Sequence, residues 1–168
     1  NNPSLFAKNA KTNPDLWGYL KDKRVAFVGP ASYLVGKGKG ELIDSYDVVV
    51  RIQPEIWNTE DFGSRTDIVQ SCLNSAYSPK VSRYLENTPS DQHPKFIICN
   101  DTVAREVPHP GSGNWLSVVE EYKEYLEKFG VPLAHLKNDD DTWERWALYW
   151  EVYAKPHVEK VSNDLYTY

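Results

Sequence analysis

The sequence predicts an α/β layered fold with a mainly parallel sheet. Two observations carry that prediction. Short unbroken apolar runs alternate with segments of helical spacing, as in sheets whose strands are buried on both faces. A loop with glycines at 36, 38 and 40 lies between the first run, VAFVG at 25–29, and the second, DVVVR at 47–51. A chain of 168 residues is the size of one domain and can bury a core without disulfide or metal staples.

The elements follow in order. TNPDLWGYL at 12–20 reads as a short helix or turn. Arg24–Gly29 is a strand expected to be buried on both faces, and Gly40–Ser45 a helical turn or more. Asp47–Arg51 is a second strand, rich in β-branched residues. Ser78–Glu86 has Val81 and Leu85 four apart, the spacing of one helix face. KFIICN at 95–100 is a third strand and VPLAHL at 131–136 a fourth. Between them, Trp115–Phe129 reads as a helix capped by Asn114 and ended by Gly130, with Leu116, Val119, Leu126 and Phe129 on one side. Asp141–Tyr153 reads as another, with Trp143, Trp146, Trp150 and Tyr153 on one side. That stripe fits core or interface better than a sugar platform.

Composition narrows the function. Net charge is −5 and no run of Lys or Arg occurs, which argues against a duplex nucleic-acid partner. No apolar stretch is long enough to span a membrane. No signal peptide is visible, and the chain has no Met, so a trimmed leader or anchor is compatible with it. Cys72 and Cys99 are too few for a disulfide framework or a zinc site and read as buried thiols. Asp44 and Asp47 read as turn and cap residues, and NDDD at 138–141 as a solvated helix start, so no metal site is expected.

The glycine loop is the strongest chemical signal. Glycine admits positive φ and lets backbone N–H groups approach a ligand, and a phosphate is favoured where such groups converge at a helix start. The spacing matches neither the dinucleotide fingerprint nor a Walker loop. On pattern alone, a phosphate cradle and a plain surface loop are equally good readings.

The surrounding residues resemble the large sialyl motif of the sialyltransferases, glycosyltransferase family 29. The matching series is Val28 and Gly29; Gly36, Gly38 and Gly40; Ile43, Asp44 and Ser45; Asp47; Val48, Val49, Val50 and Arg51; then Gly63, Ser64, Arg65 and Thr66. An ordered series is far more specific than a single glycine pattern. The resemblance implies a Rossmann-like three-layer sandwich of the glycosyltransferase A type. It implies inverting transfer of a sialic acid from a CMP donor to a glycan hydroxyl, with no cofactor and no required metal. The partners would be the nucleotide-sugar donor and the glycan acceptor. The compartment would be the cytoplasm for a bacterial or viral enzyme and the Golgi lumen for a trimmed eukaryotic one.

The chain also departs from the family pattern. The family's Asn after the first Gly is Pro30 here, its second loop Asn is Tyr33, and the Asn after the strand's Arg is Gln53, which keeps an amide. The family's small motif is either Pro110, Gly111, Ser112 and Gly113, or lies beyond Tyr168, in which case the single domain at 1–168 is incomplete.

Gly29, Ser32, Gly36, Gly38 and Gly40 are the expected nucleotide-site residues, with Gln53, Ser64, Asn74 and Asn100 as secondary candidates. An acceptor base is also required. His157 is a candidate by its C-terminal position and His109 by its Pro/Gly-rich loop. His93 reads as an exposed turn residue, and the alternation around His135 lets it face either way. Arg51 and Arg65 could meet an anion, but Arg51 reads better as structural, paired with Asp47 or Asp67. The alternative to an enzyme is a non-catalytic nucleotide- or glycan-binding module of the same fold.

Overall fold

The structure, a computed structural model, describes residues 10–73, 78–100 and 122–136. Five parallel strands form one sheet in the order β1 Val25–Val28, β2 Val48–Ile52, β3 Ile68–Gln70, β4 Phe96–Asn100 and β5 Leu133–Leu136. The register runs Val28 to Arg51, Arg51 to Val69, Val69 to Ile97 and Cys99 to His135. The helices are α1 Pro14–Leu20, α2 Gly40–Asp44, α3 Thr59–Phe62 and α4 Ser78–Asn87, and 122–127 are helical.

Because each strand follows its neighbour in the same direction, right-handed crossovers place the connecting helices on one face. Ile43 of α2 and Phe62 of α3 pack there on Ala26, Val28 and Val49. Val81 and Leu85 of α4 and Leu126 continue that layer over Val69, Ile97 and Cys99. The opposite face holds Val48, Val50, Ile68, Ile98 and Ala134, with Leu16 of α1 against them. Pro14 suits the first turn of α1, where its missing N–H costs nothing. Burying Leu16 there contributes about 1.5–3 kcal/mol.

The α/β fold is as expected, with local corrections. The run at 24–29 is not buried on both faces: β1 is the sheet edge, and α1 covers β2 and β3 instead. Phe27 is therefore 62% exposed while Val28 is buried. Strand β3 escapes sequence reading because three residues are too few to show alternation. The strand expected at 131–136 begins at Leu133, since Pro132 offers only a carbonyl, which accepts from the Ile97 N–H. His93 is not an exposed turn residue. It is half-buried, its Nε2 lies 3.0 Å from the Leu85 carbonyl and 2.9 Å from that of Thr88, and its ring meets Phe129 edge-on. Cys99 is buried, but Cys72 is only partly so. The start of the helix expected at 115–129 and the helix expected at 141–153 lie outside the described residues.

Arg51 is structural, though neither expected partner is the right one. Its side chain is buried at the end of β2. Nε donates to the Arg65 carbonyl at 2.9 Å and the Thr66 hydroxyl at 3.0 Å, and a terminal nitrogen donates to the carbonyls of Phe62 at 2.8 Å and Gly63 at 3.1 Å. Asp47 is taken instead by Arg24, and Asp67 by Arg65. A buried guanidinium needs donors satisfied, and three carbonyls and a hydroxyl meet Nε and one terminal nitrogen. Arg51→Met should lower stability by at least about 3 kcal/mol in urea denaturation, because it strands buried carbonyls. Arg51→Lys should recover less than half of that, since one ammonium cannot reach acceptors on both sides of the fork.

Candidate functional site

The carboxyl ends of β1 and β2 open into a small cleft, on the side of the sheet where parallel α/β folds take their ligands. Gly29, Pro30, Ile52, Gln53, Glu55 and Trp57 line it, with Phe62 beneath. Its cavity volume is about 10 Å³, room for roughly one water molecule. Ligand sites typically hold roughly 300–1,000 Å³, so these residues by themselves do not enclose a nucleotide sugar.

Gln53 is the most constrained residue of the cleft. Its φ is +67°, a left-handed conformation uncommon outside glycine. Its backbone N–H donates to the Gln70 carbonyl, and its side-chain oxygen accepts from the buried Ser71 hydroxyl at 3.3 Å. Leu73, two residues beyond Ser71, also has positive φ, +50°. Such strain persists only where surrounding structure enforces it, and it is concentrated at functional sites.

Trp57 is a cleft residue that sequence reading missed. It is 53% exposed and its ring leans on Phe62 at a centroid distance of 5.4 Å. An exposed aromatic at a cleft mouth can stack on a sugar or a base. The only signal in the sequence is a large aromatic in an otherwise polar stretch, PEIWNTED.

The expected site residues divide. Gly29 and Gln53 share the cleft. Ser32 is exposed at the start of a 3₁₀ turn, Ser32–Leu34, three residues beyond Gly29. Gly40 is buried at the start of α2, where a Cβ would collide with the backbone carbonyl of Thr59, so its lack of a side chain serves helix packing. Ser64 is not in the cleft. It lies by the amino end of β3, lining a separate hollow with Arg65, Tyr84 and Lys95. Asn100 ends β4 at the sheet's carboxyl edge. Asn74, His109 and His157 lie outside the described residues.

The glycine loop holds an anion that belongs to the protein. The Gly36 N–H donates to one oxygen of Asp61 and the Gly38 N–H to the other, both at 2.8 Å. Positive φ at both glycines, +74° and +56°, turns these N–H groups to the same side. The Gly36 and Gly38 N–H groups hold the Asp61 carboxyl below its usual pKa.

Asp44 does similar work on the 64–65 turn. Its carboxylate accepts from the Ser64 N–H and hydroxyl and from the Arg65 N–H. Burial alone would push its pKa up, but those donors together outweigh burial and lower it. Among the described residues, no group of three or more His, Cys, Asp or Glu side chains could hold a metal ion.

A five-stranded parallel sheet with helices on both faces defines a Rossmann-like α/β domain. The sequence model for glycosyltransferase family 29 (sialyltransferase) matches residues 4–104, which include the whole of that cleft. The match spans more than half of the 168 residues, and the chain belongs to this family of sialyltransferase-like glycosyltransferases. Membership implies a nucleotide-sugar donor and a glycan acceptor. No match was found among curated proteins or solved structures. Among the described residues, no helix is long and apolar enough to cross a membrane.

The lowered Asp44 pKa sets a pH test. Its stabilisation is complete above the ordinary carboxylate value of 3.8 and is lost as pH falls through the depressed folded value. Asp44→Asn should lower stability at neutral pH and flatten the decline below about pH 4. Thermal melts of both proteins between pH 2 and 7 check this.

Proposed function

We propose that this domain transfers a sialic-acid-like sugar from a CMP-type donor to a glycan hydroxyl, with inversion and without a metal or other cofactor. The observation that carries the reading is the family match, because it spans the residues that build the cleft. Gly29 lets the donor approach the end of β1 closely, since nothing but Ile52 stands near its missing Cβ. Gln53 offers its amide from a backbone held in one conformation. Trp57 supplies a stacking face. Inverting displacement needs a base to take the acceptor proton and donors that stabilise the departing phosphate. His157 and His109 are the candidates for the base.

A second reading is a nucleotide- or glycan-binding module without turnover. Two features favour it. Pro30 has no N–H to give, and the Gly36 and Gly38 N–H groups are already bonded to Asp61.

Thermal-shift assays with CMP, CDP, UDP, GDP, AMP and NAD, with and without magnesium, test the donor. A ligand bound only by the folded state, at 100 times its Kd, adds about 2.7 kcal/mol of stability. CMP should raise the melting temperature whether or not magnesium is present. A shift with a different nucleotide would replace the donor, and no shift with any would sink the donor site. Donor consumption should then fall at least about 100-fold in either His157→Ala or His109→Ala. Binding without consumption would favour the module.

A further inference from the structure

The 30–39 loop begins at the cleft wall and ends at Gly40, which is packed against α3. Between those points it has few ties. Backbone bonds from Leu34 to Ala31, Val35 to Ser32 and Lys37 to Leu34 fold it on itself. Two contacts join the loop's middle to the body of the domain: Leu34 packs against the cluster of Ala26, Val28 and Phe62, and Asp61 accepts from the Gly36 and Gly38 N–H groups.

Asp61 is itself held firmly. It is only 5% exposed. Its N–H donates to Oδ1 of Asn58, the residue that caps α3, and the Asn58 amide donates back to Oδ2 at 3.1 Å. Both carboxylate oxygens are thereby satisfied by N–H donors. The next residue, Phe62, packs on Val28 and Val49 and lies under the cleft. The loop is thus referenced to the same short helix that supports the cleft floor and Trp57.

We propose that Asp61 is a positioning residue: its carboxylate latches the 30–39 loop to α3 and so fixes the Gly29–Ser32 wall of the cleft. A ligand phosphate cannot use the Gly36 and Gly38 N–H groups while that latch is closed. The loop's contribution to binding is then the shape it gives the wall beside Gly29. That wall has its own reporter, because the Ala31 N–H donates to the Gly29 carbonyl at 2.8 Å. The functional half of this inference rests on the cleft's being the donor site, and the structural half does not.

Amide hydrogen exchange by NMR on the full 168-residue chain separates the two halves. In Asp61→Asn, one oxygen facing an N–H becomes an NH₂. Exchange at Gly36, Gly38 and Ala31 should accelerate by about tenfold or more, while the Val49 and Ile97 amides keep their protection. Affinity for CMP should fall by about tenfold. If Asn replacement unfolds the protein, Asn58→Ser keeps an N-cap oxygen but removes the amide donor to Asp61, and should give the same pattern at smaller amplitude.

Faster exchange at Gly36 and Gly38 with Ala31 still protected would overturn the proposal, because the latch would not reach the wall. So would unchanged or tighter CMP binding in Asp61→Asn, the latter marking the glycine N–H groups as a phosphate site that Asp61 merely fills. If the parent protein bound no CMP, the donor reading would fail, and the exchange pattern would still decide the latch.

Discussion

The buried guanidinium of Arg51 is the interaction on which the site's geometry depends. It stands at the carboxyl end of β2, one residue before the strand ends and two before Gln53. Its donors reach the end of α3 and the turn before β3, both later in the chain. A cation placed among carbonyls and a hydroxyl, with no bonded carboxylate, is stable only while every donor finds its acceptor. That requirement fixes the 62–66 turn against the sheet. It also anchors the carboxyl end of α3, whose start is capped by Asn58.

Carboxylates supply the complementary half of this design. Asp44 gathers the N–H groups of Ser64 and Arg65, Asp61 those of Gly36 and Gly38, and Asp67 that of Val49. Each joins segments far apart in sequence by bonding backbone N–H groups that no helix or strand uses. Irregular backbone that is partly buried must find such partners or lose the corresponding free energy. Acidic residues near the glycine loop therefore act here as internal anions. A chain of net charge −5 can bury Asp61 because backbone N–H donors, rather than a cluster of cations, compensate it.

The family match covers the carboxyl ends of the first strands, where the proposed donor cleft lies. The matched segment contains β1 to β4 and the cleft at the ends of the first two. The larger hollow beside Arg65, Tyr84 and Lys95 lies at the amino ends of β3 and β4, the wrong end for a ligand of a parallel sheet. Its most prominent cation, Arg65, is bonded to the carbonyls of Asp44 and Tyr46 and to Asp67.

Fold class, four of the strands, the helical segments expected at 12–20, 40–45 and 78–86, and the family were all legible along the chain. These rest on apolar runs, helical spacing and an ordered motif, all of which are local along the chain. The sequence also put Gly29, Arg51 and Asn100 at the carboxyl ends of strands, because such ends are readable from where apolar runs stop, and it singled out Gln53 through the family motif. Only the tertiary structure decided that β1 is an edge, that Gly40 is a packing residue, that Ser64 lies away from the cleft and that Trp57 lines it. It alone revealed that the anion on the glycine loop is Asp61, 23 residues beyond Gly38. An N–H group is the same in any sequence, and which acceptor reaches it depends on how distant segments pack.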